Sequence, residues 1–117
     1  MKVRSFVCRS YEEAEALLKG KSTRTVCNNT VLSIRPGQED DCIRLRLHGH
    51  IIAFLFRDRV RLFSRGWHTA TTKGRLNSVL PIRWSIYQEK GLWWLRDRRS
   101  GMMAMFFEGV EIRYREE

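Results

Sequence analysis

The segment Cys42-Ile43-Arg44-Leu45-Arg46-Leu47-His48 alternates strictly between apolar and polar side chains. A period of two belongs to a β-strand, whose successive side chains point to opposite faces. Such a strand sends Ile43, Leu45 and Leu47 into a core and leaves Arg44, Arg46 and His48 on the other face. Arg57-Asp58-Arg59-Val60-Arg61-Leu62 repeats the device, with Arg59 and Arg61 outward and Val60 and Leu62 inward. With an intervening strand over residues 51–56, a separator at Gly49 and a tight turn at Arg57-Asp58, the three strands form an antiparallel meander. The arginines of its outer face then form a two-dimensional patch.

The rest of the chain fits one domain over residues 1–117. Its length suffices to bury roughly two thirds of the surface that the unfolded chain exposes. At 43% hydrophobic and 11% aromatic residues, it has the core material that a disordered basic tail lacks. Ser10-Tyr11-Glu12-Glu13 is a capping box, and Tyr11, Ala14, Leu17 and Leu18 follow at helical spacing up to Gly20. A short strand over 30–35 closes at Pro36-Gly37, and Glu39-Asp40-Asp41 marks an exposed turn. Hairpin signals at Glu89-Lys90-Gly91 and Glu108-Gly109 join strands over 83–88 and 92–95, and over 102–107 and 110–114. Trp84, Trp93, Trp94, Phe106 and Phe107 supply the C-terminal core. Leu76, Val79 and Leu80 predict a second helix of about two turns, capped by Thr71 and stopped by Pro81. The expected class is α+β: antiparallel meander and hairpins in one sheet or a small open barrel, an N-terminal helix, and a short helix after the third meander strand.

The charge is concentrated. Residues 42–88 hold nine lysines and arginines against the single acid Asp58, so this segment carries +8 of the chain's +9. Like charges on neighbouring strands repel by some tenths of a kcal/mol per pair. A fold tolerates that more readily when an anion neutralises them, and a polyanion is the natural partner. The chain lacks an apolar run of signal-peptide or membrane-spanning length, and Cys8, Cys27 and Cys42 form no C-x-x-C pair. These features imply a reducing cytoplasmic setting, no membrane, and cysteines that pack as small hydrophobes.

Three stretches carry a resemblance. Val26-Cys27-Asn28-Asn29-Thr30-Val31-Leu32, Ile43-Arg44-Leu45-Arg46-Leu47-His48-Gly49 and Gly66-Trp67-His68-Thr69-Ala70-Thr71-Thr72-Lys73-Gly74-Arg75-Leu76-Asn77 are similar to a widespread family of small bacteriophage and archaeal-virus proteins. Its pattern is approximately an N-N-T-x-L stretch, a strand ending in L-H, and a G-W-x-T-x-T-T-K-x-R-x-N signature. Arg65-Gly66 stands where that family has Gly-Gly, and Gly49-His50-Ile51 where it has Asn-Thr-Asp, which removes a polar acidic corner. The resemblance implies a phage or prophage origin and a host-cytoplasm setting. It implies no mechanism.

The functional expectation is a non-enzymatic module that holds the phosphate backbone of DNA or RNA. Arg44, Arg46, Arg57, Arg59, Arg61 and Arg65 would form its basic face. The amino end of the second helix, with Thr69, Thr72, Lys73 and Arg75, would offer a phosphate site, and Trp67 and His68 lie beside it. The plainer alternative makes the threonines caps and Trp67 a core anchor. A second reading is a phage-encoded inhibitor docking on a host defence complex, in the manner of an anti-CRISPR protein. A third is a metal-independent nuclease using His48 and His68 as base and acid. His48, His50 and His68 with Cys27 or Cys42 lack the spacing of a known zinc site, and no motif calls for a cofactor. Exposed strand edges invite pairing with a second copy.

Overall fold

The computed structural model describes residues 6–34 and 42–114. The predicted Pro36-Gly37 closure and the acidic turn Glu39-Asp40-Asp41 lie outside them. Along the chain run α1 (Tyr11–Leu18), β1 (Thr23–Cys27), β2 (Thr30–Ile34), β3 (Ile43–Leu47), β4 (His50–Leu55) and β5 (Arg59–Leu62). There follow α2 (Ala70–Val79), β6 (Trp84–Glu89), β7 (Leu92–Asp97), β8 (Met103–Met105) and β9 (Val110–Arg113). The α+β class, both helices and the meander are as expected. The strands, however, divide between two antiparallel sheets: one of six in the order β1-β2-β3-β4-β5-β9, and one of three in the order β6-β7-β8.

Alternation makes the larger sheet two-faced. Ile43, Leu45, Leu55, Val60 and Leu62 are fully buried on its inner face, and Val110 and Ile112 continue that face. Tyr11, Ala14 and Leu18 of α1, and Leu76, Val79 and Leu80 at α2, join them in one apolar cluster. Each such side chain removed from water contributes about 1.5–3 kcal/mol. Ile86, Trp93 and Leu95 of the smaller sheet belong to the same cluster, so the helices and both sheets share one core. The three cysteines are buried within the domain, and burial pushes the Cys8 thiol up to about 12.

Three expectations need correction. Ser10 caps α1 by accepting from the Glu13 amide, but the Glu13 carboxylate reaches back to the Arg9 amide, so the capping box closes one residue early. The cap of α2 is Thr69, not Thr71, because Thr69 Oγ1 accepts from the Thr72 amide at 3.1 Å and starts the helix about half a turn earlier. The Glu108-Gly109 turn does not close a hairpin: β8 pairs with β7, whereas β9 crosses to the other sheet and pairs with β5. Glu108 explains the crossing. Its carboxylate accepts from the Ser64 amide, the Ser64 hydroxyl and the Arg65 amide at 2.6–3.0 Å, and the Gly109 amide donates to Leu62 O, so the turn is moored at the end of β5.

The turn from β3 to β4 is His48-Gly49, with φ of 51° and 82°. Two consecutive positive φ values suit a tight hairpin whose twist matches the strands. β1 has no counterpart in the sequence reading. Its hairpin with β2 turns at Asn28-Asn29, and asparagine is a residue that tolerates the positive φ of 54° seen at Asn29.

Candidate nucleic-acid interface

The outer face of the six-stranded sheet follows from the register. One row across it reads Thr23, Ser33, Arg44, Phe54, Arg61 and Glu111. Val31, Arg46 and Ile51 form the row on one side, and Arg59 and Arg113 lie on the other, next to Phe56, whose amide donates to Arg59 O. Phe63 continues β5 at the end nearer Ile51. Both helices lie against the opposite face, so among the described residues no helix covers this one.

Rings and guanidinium groups interleave here. Phe54 lies 6.4 Å from Phe56, nearly parallel, and 5.8 Å from Phe63, edge to face. Arg44 lies 5.8 Å from the centroid of Phe54, Arg59 lies 4.1 Å from that of Phe56, and Arg65 lies 4.2 Å from that of Phe63. Cation–π contacts of this kind contribute about 0.5–1 kcal/mol each at exposed sites. They hold the arginines close together despite their repulsion.

Carboxylates answer only part of the charge. Glu111 accepts from Arg59 at 2.9 Å and from Arg61 at 2.8 Å, and Asp58 accepts from Arg59 at 2.8 Å. The hydrogen bonds from Arg59, and then from Arg61, hold the Glu111 carboxyl below the usual carboxylate range. Arg44, Arg46 and Arg65 meet no carboxylate among the described residues. Arg46 donates to Ser33 Oγ and Arg65 to Ile51 O.

Of the residues singled out from the sequence, the fold thus gathers Arg44, Arg46, Arg59, Arg61 and Arg65 on one face. Arg57 departs from it. Its guanidinium lies 4.3 Å from the ring centroid of Tyr11, a buried residue of α1, and it lines an open groove of about 1180 Å³ with Arg9, Glu13, Trp84 and Tyr114. Burial pushes the Tyr114 hydroxyl well above its ordinary value, and it has no hydrogen-bond partner among the described residues.

The signature segment is built differently. Arg75 Nε donates to the buried Thr30 Oγ1 at 2.8 Å, and Thr30 Oγ1 donates to Asn28 O. Asn77 exchanges two hydrogen bonds with the main chain of Ile86, at 2.7 and 3.0 Å, and so docks α2 on β6. Thr72 is buried against Thr69, 3.0 Å between hydroxyls. The His48 amide donates to Asn29 O. The three motif stretches therefore meet at one corner, largely through bonds to each other. Lys73 lies in the first turn of α2. His68 sits 3.1 Å from Ser64 Oγ and 4.7 Å from the Trp93 ring, whereas Trp67 is 51% exposed and tilts against His50. Trp67 is no core anchor. A shallow cleft takes in His48, His50, Arg65, Trp67 and Thr72 but not His68, and Arg65 links it to the arginine face. The described residues contain no group of three or more His, Cys, Asp or Glu able to hold a metal ion.

The sequence reading missed Phe54, Phe56, Phe63, Arg113 and Glu111 as members of this face. Phe54 and Phe56 alternate with Leu55, which signals a shared side. That parity is obscured upstream by a bulge, since Leu45 pairs with Ala53 while Arg46 pairs with Ile51.

A second surface lies on the smaller sheet. Tyr87, Trp94 and Met105 form one row of its outer face, and Met103 lies against the Tyr87 hydroxyl. Leu92 and Met102 are exposed nearby in the chain, and so is Phe107, so that, contrary to expectation, neither Phe107 nor the outward Trp94 belongs to the C-terminal core. The indole N–H of Trp94 is buried without a hydrogen-bond partner among the described residues.

No helix among the described residues is long and apolar enough to cross a membrane. No curated protein and no solved structure matches the chain. The family described as Kyanoviridae Gp96 protein matches residues 9–113, from the residue before the α1 cap to the end of β9. The chain therefore belongs to the Kyanoviridae Gp96 protein family, a family of cyanophage proteins.

Proposed function

We propose that this phage protein is a non-enzymatic module that holds nucleic acid in the host cytoplasm, gripping phosphates with the outer face of its larger sheet. One observation carries the reading: among the described residues, Arg44, Arg46, Arg59, Arg61, Arg65 and Arg113 share a face that no helix covers, with three phenylalanine rings and the one strand carboxylate Glu111. Arginines that neutralise phosphates release condensed counterions, so affinity must fall with salt. Anisotropy titrations with labelled DNA and RNA should show affinity dropping roughly 100- to 1,000-fold between about 50 mM and about 200 mM salt. Affinity indifferent to salt, or no binding at all, would remove the proposal. The helix amino end contributes less in this reading than its sequence suggests, because Thr69, Thr72 and Arg75 are engaged within the fold.

The alternative is an inhibitor that docks on a host defence complex, as anti-CRISPR proteins do. The outer face of the smaller sheet favours it, since Trp, Tyr and Met are enriched at protein interfaces. Tagged protein recovered from host lysate separates the two. A stoichiometric protein partner that survives nuclease treatment supports the inhibitor, and loss of all partners on nuclease treatment supports nucleic-acid binding.

A further inference from the structure

We infer that the outer face of the six-stranded sheet is a platform for single-stranded nucleic acid, on which bases stack against Phe54, Phe56 and Phe63 while the flanking arginines hold the phosphates. The inference rests on the nucleic-acid reading above and narrows it. Three observations carry it.

First, the rings are misplaced for a merely solvated surface. The outward side of an antiparallel sheet with one buried face is ordinarily polar. Here Phe54 on β4, with Phe56 and Phe63 just past the ends of β4 and β5, puts three rings on the outward side, half-buried among arginines. A duplex keeps its bases inside its own stack, so it offers these rings nothing to lie against. A single strand presents the flat side of every base.

Second, the rings are spaced for it. Phe56, Phe54 and Phe63 are strung across β4 and β5 with centroids 6.4 and 5.8 Å apart. These separations exceed the contact distance of stacked bases, as an extended strand requires when successive bases splay onto separate rings. The exposed Trp67 lines the shallow cleft at the sheet end together with Arg65, which itself lies over Phe63. Three rings and this indole suit a site of about four nucleotides, within the range of single-strand-binding sheets.

Third, the arginines are stationed on the rings. Arg44 and Arg65, which meet no carboxylate among the described residues, lie 5.8 and 4.2 Å from the centroids of Phe54 and Phe63, which shields apolar surface from water. A phosphate is a stronger partner for a guanidinium than a ring is, because charge-assisted hydrogen bonds exceed cation–π contacts at exposed sites. When the backbone arrives, these two guanidinium groups swing to phosphates and Phe54 and Phe63 are left open to bases. Among the described residues this face also has no protruding helix or ribbon of the kind that enters a duplex groove.

The test uses the full chain with labelled oligothymidylate of about 20 nucleotides and a duplex of the same length, at one salt concentration and over a salt series. The single strand should bind at least about 10-fold more tightly. Phe54→Leu and Phe63→Leu retain bulk and β-sheet compatibility, and folding is checked by circular dichroism and thermal melting. Each should weaken single-strand binding about 5- to 30-fold while leaving the salt slope unchanged. Arg44→Ala and Arg46→Ala should instead reduce the slope by about 0.7 each. Duplex binding equal to single-strand binding, with folded leucine variants unaffected, overturns the stacking platform and leaves nucleic-acid binding intact. Binding of neither probe overturns both.

Discussion

The arginine face and the signature corner are both rich in polar side chains, yet they use them in opposite ways. At the corner, Thr30, Thr69, Thr72, Arg75 and Asn77 spend their hydrogen-bonding capacity on one another and on the main chain. On the sheet face, Arg44, Arg46 and Arg65 lean on rings, one hydroxyl and one carbonyl, and meet no carboxylate among the described residues. Buried polar groups must be satisfied from within, so a distinctive polar motif can be pure architecture. Charge held at the surface by weak contacts remains available to a partner. The corner builds the fold, and the face is offered outward.

Substitutions should therefore separate binding from stability. The largest effect belongs to the face: changing Arg44, Arg46 and Arg65 together to alanine should lower affinity for oligothymidylate by about 100-fold and flatten the salt slope by about 2, as three phosphate contacts demand. The melting temperature should change little, which thermal melting checks.

Next comes Asn77→Ala. It removes both bonds to Ile86 and leaves a part-buried amide and carbonyl without their partner, at a cost of about 2–4 kcal/mol. Urea unfolding should show the loss, while affinity below the melting transition stays within about twofold of the parent. Comparable loss of binding and stability in one variant would blur the division.

Thr69→Ala tests the cap alone. It should cost about 1 kcal/mol in the same urea experiment. Thr71→Ala, at the position that sequence spacing favours as the cap, should cost less.

The smallest effect concerns Glu111. It occupies Arg59 and Arg61, so Glu111→Gln should tighten oligothymidylate binding by a few-fold. Because those arginines depress its folded pKa, its stabilising contribution is present above the ordinary carboxylate value, about pH 4.3, and is lost as pH falls through the lower folded value. Thermal melting from pH 7 down to about pH 4.5 should accordingly show no loss attributable to this carboxylate.

Asp97 behaves likewise on the smaller sheet. Arg83 grips it at 2.6 and 2.7 Å, with Ser100 Oγ at 2.8 Å and the Arg99 amide at 3.0 Å, and the Arg83 hydrogen bonds lead the downward shift of its pKa. Its support is again present at neutral pH and is lost as pH falls through its lowered folded value.

Much of this was legible in the residues. Alternation at 42–48 and 57–62 identified β3 and β5 and the outward set Arg44, Arg46, Arg59 and Arg61, because a period of two fixes sidedness without knowledge of neighbours. Arg57 misled for the same reason. It sits outside β5 in the turn, where no pleat governs direction, and it goes to Tyr11 instead. The separation of β8 from β9 was hidden, since Glu108-Gly109 has turn chemistry whichever strands it joins, and only the mooring of Glu108 at Ser64 and Arg65 decides the matter. The role of Asn77 was equally invisible, because its partner Ile86 acts through main-chain atoms that carry no sequence signal.

The most direct test of the central claim follows backbone and side-chain NMR signals of the full protein during titration with oligothymidylate. The perturbed residues should cluster at Arg44, Arg46, Phe54, Arg61, Phe63 and Arg65, while Arg75 and Asn77 stay still. Perturbations confined to the α2 corner, with the sheet face unmoved, would contradict it.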